Sequence, residues 1–357
     1  MRRQVLCSVC AAVTAFFLCC HTAAGSSDSL VPGDIVPNEK GILTVGFVMV
    51  GAESDWRIAC NRSIESTFTR ENGYSLLISD AQQKHEKQIK AVREYISQEV
   101  DYILLNPIVE NGWNSLLEEA REAGIPVIVF DREVDAGTEE YTTWLGSDFY
   151  LEGQRALAYL DAFLSGRGYE EELGIVHIQG TINSSAQLGR TRALDEALNT
   201  HANWKLLDRQ TGDFTTAKGK EVMVDMLDRF GSEIQVVYCE NDNEAYGAID
   251  AIEGAGLHVG TDLASGDILV LSFDATNDGL DLTLGEKILV NTECAPLYGP
   301  LISQLIARLQ AGEELPSRQY VSEDQFSALS DPAEVSVDGL SYPVTQLTQE
   351  IIDGRTY

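Results

Sequence analysis

Eleven residues pair hydrogen-bonding or aromatic side chains with positions just past short apolar runs: Glu53, Ser54, Asp55, Trp56, Arg57, Asp131, Arg132, Arg190, Asn241, Asp274 and Glu293. Carboxylates and amides offer paired acceptors, and a guanidinium offers a planar fork of donors. That chemistry suits a polyhydroxylated ligand, whose every hydroxyl both donates and accepts. Such a ligand also has apolar C–H faces, against which an indole ring such as Trp56 stacks. Charged hydrogen bonds inside a closed cleft contribute about 1.5–3 kcal/mol each, so a few support binding near −8 kcal/mol, the micromolar range. Each residue alone has a plainer reading. Ser54 or Asp55 could cap a helix, Trp56 could anchor a core, and Asp131-Arg132 could be a surface pair. Asn241-Asp242 could cap a helix over residues 244–252, Arg190 could face solvent from a helix, and Glu293 could be one more surface acid. Their joint placement at strand ends carries the functional reading.

Catalysis is the competing class. Asp131 with Asp274 could be a carboxyl pair for glycoside hydrolysis. No Ser/His/Asp arrangement stands out among five histidines, and Gly46 and Gly51 have the wrong spacing for a dinucleotide loop. Cysteines and histidines form no metal-ligand motif, and the alternating Asp/Asn pattern of a calcium loop is missing. The expectation is a binding protein without cofactor or metal, not an enzyme.

The elements that must position these residues follow a β-α rhythm. Apolar, β-branched runs occupy residues 42–49, 74–79, 102–105, 126–130, 173–178, 234–238, 268–273 and 287–290. Between them, Ile89, Val92, Ile96 and Val100 lie one to two helical turns apart, and Trp113, Leu116, Leu117 and Ala120 repeat at i, i+3, i+4, i+7. Continuous apolar strands alternating with helices predict parallel sheets covered on both faces. The units are too many for one compact sheet. A strand-like stretch within 141–152 leaves the first sheet before a new helix opens, and a last helix over 297–310 could return to the first lobe. Ligands of open α/β sheets bind beyond the carboxyl ends of the strands. The segments there are polar in both halves, as a cleft between two lobes requires.

The chain has 357 residues, 44% hydrophobic, with a formal net charge of −31. Arg2 and Arg3, an apolar run over residues 5–20 and the small Thr22-Ala23-Ala24 site read as a signal peptide over 1–24. Without the two arginines the charge is two units more negative, a surface that repels nucleic acid and anionic membranes. Residues 25–40, rich in Ser, Gly, Pro and Asp, read as a tether. Four of seven cysteines lie in the signal segment, where Cys19 or Cys20 is a candidate lipid anchor. Cys60, Cys239 and Cys294 remain, an odd number that makes no disulfide framework. Export, an acidic surface and the lack of a basic helix-turn-helix argue against a transcription factor.

Several segments carry a resemblance: Gly51 to Arg57, the run from Asp80 to Arg93, Asp131-Arg132, Gln179-Gly180-Thr181, Gly212-Asp213-Phe214-Thr215, residues 218–223, Asn241-Asp242 and Glu293. Collinear over residues 42–310, they resemble the periplasmic sugar-binding proteins of ABC transporters of the ribose/galactose type, and within these the galactofuranose-binding components. The first segment is similar to a Gly-Ser-Glu-Ser-Gly-Trp-Arg pattern, from which Ala52 and Asp55 depart. Gly189, Glu244 and Ala275-Thr276 depart elsewhere. The resemblance implies two Rossmann-like α/β lobes with a three-crossing hinge. One lobe would hold 41–147 with about 293–322, the other 148–292 with about 323–357. It implies that the eleven residues above contact a galactofuranose-like monosaccharide, and that the protein, a monomer outside the cytoplasmic membrane, serves an ABC permease. A chemosensor or two-component ligand subunit would use the same site.

Overall fold

The computed structural model describes residues 33–357; the signal-peptide segment, Cys19, Cys20 and the first half of the tether lie outside the described residues. The chain opens with β1 (Leu43–Met49), α1 (Asp55–Thr67), β2 (Tyr74–Asp80), α2 (His85–Ser97), β3 (Tyr102–Leu105), α3 (Asn114–Glu122), β4 (Val127–Phe130) and β5 (Thr143–Gly146). These strands and the later β11 (Arg318–Tyr320) form a six-stranded, all-parallel sheet in the order β11-β5-β4-β3-β1-β2. Its strands are apolar in continuous runs because helices cover both faces. Phe47, Phe130 and Leu104 pack on one side, while Val48, Ile103 and Val129 pack on the other.

The second lobe continues through α4 (Phe149–Gly166), β6 (Leu173–Gln179), α5 (Ser185–Thr200), β7 (Trp204–Thr211), α6 (Thr216–Phe230), β8 (Val236–Cys239), α7 (Asp242–Gly254), β9 (Leu269–Asp274), α8 (Asn277–Leu284) and β10 (Val290–Glu293). After β10 the chain returns to the first lobe as α9 (Tyr298–Gln310), whose Tyr298, Leu301, Ile302 and Leu305 join its core beside Trp56 and Ile64. It crosses again from β11 to β12 (Gln325–Ser327), then makes a hairpin of β13 (Glu334–Val337) and β14 (Leu340–Pro343), the short β15 (Thr345–Gln346) and α10 (Gln349–Asp353). The second sheet reads β15-β12-β10-β9-β8-β6-β7. It is parallel except where β12 runs antiparallel to β10. The chain thus passes between the sheets three times, after β5, after β10 and after β11.

Two elements differ from the sequence expectation. The strand expected at 287–290 runs instead over Val290–Glu293, in register with β9 from Leu271 to Asp274. Its polar residues are satisfied inside the sheet: Asn291 Oδ1 accepts from Ala275 N at 3.0 Å, and Gln325 donates to Thr292 Oγ1 at 3.0 Å. A pattern search tuned to apolar runs stops one residue into such a strand. The second is β7, a sheet-edge strand too polar (WKLLDRQT) to stand out by hydropathy.

Candidate functional site

The carboxyl ends of both sheets converge on one narrow polar cavity, where ligands of such sheets bind. From the first lobe it is lined by Glu53, Ser54, Trp56 and Arg57, after β1, and by Asp131 and Arg132, after β4. The second lobe supplies Arg190 of α5, Asn241 after β8 and Asp274 ending β9. Nine of the eleven anticipated residues therefore meet there, whereas Asp55 and Glu293 do not line it. Asp55 hydrogen-bonds Asn243 of the opposite lobe. Glu293 Oε1 takes a salt bridge from Arg355 at 2.6 Å and a hydrogen bond from the Tyr357 hydroxyl at 2.5 Å, so the C-terminal segment occupies it.

Local sequence explains the placement. Ser54 caps α1 by accepting from Arg57 N at 3.1 Å, and Asn241 caps α7 by accepting from Glu244 N at 2.8 Å. Capping turns each strand end sharply into its helix. Three lining residues hold left-handed backbone, Asp131 at φ 60°, Phe214 at φ 61° and Asp274 at φ 98°. Such conformations are strained for residues other than glycine and gather at ligand sites. They aim these side chains back over the sheet ends.

Glu53, Asp131 and Asp274 bring three carboxyl groups, and Arg57, Arg132 and Arg190 bring three guanidinium groups, all six side chains buried. Arg57 bridges Glu53 Oε1 at 3.1 Å and Asp131 Oδ2 at 2.9 Å, and its guanidinium lies 4.6 Å from the centre of the Trp56 ring. The fully buried Asn106 amide lies between Asp131 and Arg57, and the orientation that satisfies both of its groups has its nitrogen donating to Asp131 Oδ2 at 3.1 Å and its oxygen accepting from Arg57 Nη1. Arg190 Nε donates to Glu152 Oε2 at 2.8 Å, and Nη1 donates to the Glu240 carbonyl. Arg190 Nη2 sits 2.7 Å from Glu152 Oε2 and 3.8 Å from Asp274 Oδ1 without a hydrogen bond. Glu53 Oε2 is likewise buried and unpartnered. Buried polar atoms without partners cost about 1–3 kcal/mol each, so a ligand that supplies partners gains that much.

Burial works to raise the Glu53 carboxyl, but the guanidinium groups of Arg57 and Arg132 hold it below the ordinary range. Burial, with Arg57 nearby, lowers Arg132 to about 10. Burial pushes Asp274 well up despite Arg190. Beneath the site, burial raises Asp242 to about 6, although Ser272, Thr276 and Asn291 donate to it. Burial also raises Glu244 and Glu323 well above the carboxyl range. These acids hold protons in the fold that the unfolded chain releases near pH 4, so the cost of ionising them grows from that pH up to each folded value. Burial lowers His177, whose penalty sets in only below about pH 6.5. Above that, Glu244, Asp274 and Glu323 dominate, and the melting temperature of the unliganded protein is expected to fall as the pH rises from about 6.5. A scan at rising pH checks this; a rise above that pH contradicts it.

Phe149, Ala186, Phe214 and Cys294 also line the cavity and were not among the anticipated residues. Phe149 and Phe214 join Trp56 as apolar platforms, and the Arg132 guanidinium lies 5.2 Å from the Phe214 ring centre. Gly180 makes room for Phe214: a Cβ there would sit 1.9 Å from its ring. The sequence marked two of these places, since Phe214 lies in the segment 212–215 and Cys294 adjoins Glu293.

Two α/β lobes that bound a polar cavity beside three chain crossings define a two-lobed solute-binding protein. The chain belongs to the periplasmic binding protein family, whose domain model matches residues 45–292. It is 40% identical over 229 residues to the galactofuranose-binding protein YtfQ of Escherichia coli, covering 63% of this chain and 70% of that one. Its fold is similar to a Mycobacterium smegmatis structure in complex with β-D-fucofuranose (TM-score 0.74, 38% identity, 81% of this chain and 94% of that one). It is also similar to the arabinose ABC transporter binding component of Shewanella sp. ANA-3, bound to α- and β-L-arabinofuranose (TM-score 0.72, 34% identity, 79% and 91%). Among the described residues, no helix is long and apolar enough to cross a membrane.

Proposed function

We propose that the protein captures one neutral monosaccharide in its furanose form, galactofuranose-like, between its lobes and delivers it to an ABC permease. The observation that carries this reading is the lining itself, three guanidinium groups and three carboxyl groups with three aromatic rings. A neutral polyol uses such donors and acceptors without adding a buried charge. The furanose preference rests on the similarity to YtfQ and to the two furanose-bound structures. The nine lining residues named in advance are the proposed contacts. No reaction is assigned: Asp131 is committed to Arg57, and Asp274 faces Arg190 across 3.8 Å, so neither is a free acid–base group. The protein works as an exported monomer, and closing of the lobes on the sugar is a shift of population toward the closed form.

A thermal-shift panel of furanose and pyranose sugars, amino acids and dipeptides tests the reading. A sugar at 100 times its dissociation constant adds about 2.7 kcal/mol and raises the melting temperature. The expected responders are sugars rich in furanose form. A response to amino acids or dipeptides, with none to sugars, would overturn it.

A further inference from the structure

Asp55 opens α1 in the first lobe and Asn243 lies in the first turn of α7 in the second. The two residues exchange hydrogen bonds across the cleft: Asp55 N donates to Asn243 Oδ1 at 3.0 Å, and Asn243 Nδ2 donates to Asp55 Oδ2 at 3.0 Å. Thr216 Oγ1 accepts a further bond from Asn243 Nδ2 at 3.2 Å and fixes its amide. Elsewhere around the cavity two backbone donors cross between the lobes, Glu133 N to Ser185 Oγ at 2.8 Å and Glu110 N to Asn183 O at 3.1 Å. Asp55 is one of the two departures from the sugar-binding pattern in its segment.

We propose that Asp55 and Asn243 form a latch that holds the lobes closed independently of the sugar and slows its release. Neither residue lines the cavity, so the pair acts through the open–closed equilibrium, not through contact with the ligand. A contact made only in the closed form shifts that equilibrium by its own free energy, whether or not the cavity is filled. Opening breaks both bonds before the sugar can leave, whereas entry into the open form meets neither.

The test compares wild type with Asp55→Gly, Asn243→Ala and the double variant, all as full chains. Small-angle scattering without sugar reads the latch alone. The radius of gyration is expected to rise in each single variant, and no further in the double. Stopped-flow fluorescence with D-galactofuranose, an arm that rests on the proposed sugar function, is expected to show release about tenfold faster in either variant and association faster by no more than the gain in open fraction. Unchanged scattering and release in both single variants would overturn the latch. A wild type that binds no sugar would instead sink the sugar reading, while the scattering comparison still decides the latch. Asn243→Ala keeps the test informative should Asp55→Gly loosen α1.

Discussion

Replacing Arg57 by methionine is expected to lower sugar affinity at least a hundredfold, about 2.7 kcal/mol, and to lower the melting temperature as well. Arg57 is the centre of the first-lobe half of the site. It holds Glu53 at 3.1 Å and Asp131 at 2.9 Å, and is itself 2% exposed. Its removal leaves Asp131 buried without its cation and Glu53 with Arg132 alone at 3.7 Å, a change that costs about 3–5 kcal/mol at buried pairs. Lysine at this position would restore the charge but not the planar fork, and would recover only part of the affinity. Calorimetric titration with a thermal melt separates the two effects. Full affinity in Arg57→Met would remove this residue from the site.

Arg190→Leu is expected to have the second large effect. Arg190 is the second lobe's counterpart, gripped by Glu152 at 2.8 Å and by the Glu240 carbonyl, with its guanidinium 4.6 Å from the Phe273 ring centre and 5.4 Å from that of Phe149. Leucine fills part of the volume but leaves Glu152 buried without its hydrogen-bonded guanidinium, so stability should drop by about 3–5 kcal/mol and affinity about a hundredfold. Denaturant melts and titrations read these separately. Glu152→Gln should keep most of the stability, because an amide still accepts from Arg190, and should weaken binding less than the arginine change. Equal losses in both would mean that Arg190 acts only as scaffold.

Much of this was legible in the residues. The apolar strand runs and helical spacings located the parallel core of both lobes, because strands covered on two faces are apolar throughout. The rule that ligands meet strand ends then pointed to nine residues that line one cavity. What stayed hidden depends on three-dimensional context. Glu293 looked like a strand-end contact, but the strand extends three residues further than its apolar run, and the C-terminal Arg355 and Tyr357 claim its carboxylate. Asp55 sits within the segment that builds the site, yet a helix turn points it at the other lobe, where only the closed arrangement supplies Asn243. Phe149 and Phe214 look like ordinary core residues in sequence; the left-handed turn at Phe214 and the space left by Gly180 bring that ring to the cavity. The cis Asp331-Pro332 bond and the β13–β14 hairpin belong to the segment after 327, which packs on α4 through Val335 and Tyr342 and carries no motif legible beforehand.

Isothermal titration of the unliganded protein with D-galactofuranose, repeated with Arg57→Met, tests the central claim most directly. The account predicts saturable one-to-one binding in the micromolar range or tighter, with a negative heat-capacity change from cavity closure, and loss of that signal in the variant. No binding of any furanose by the wild-type protein, or equal binding by the variant, would contradict it.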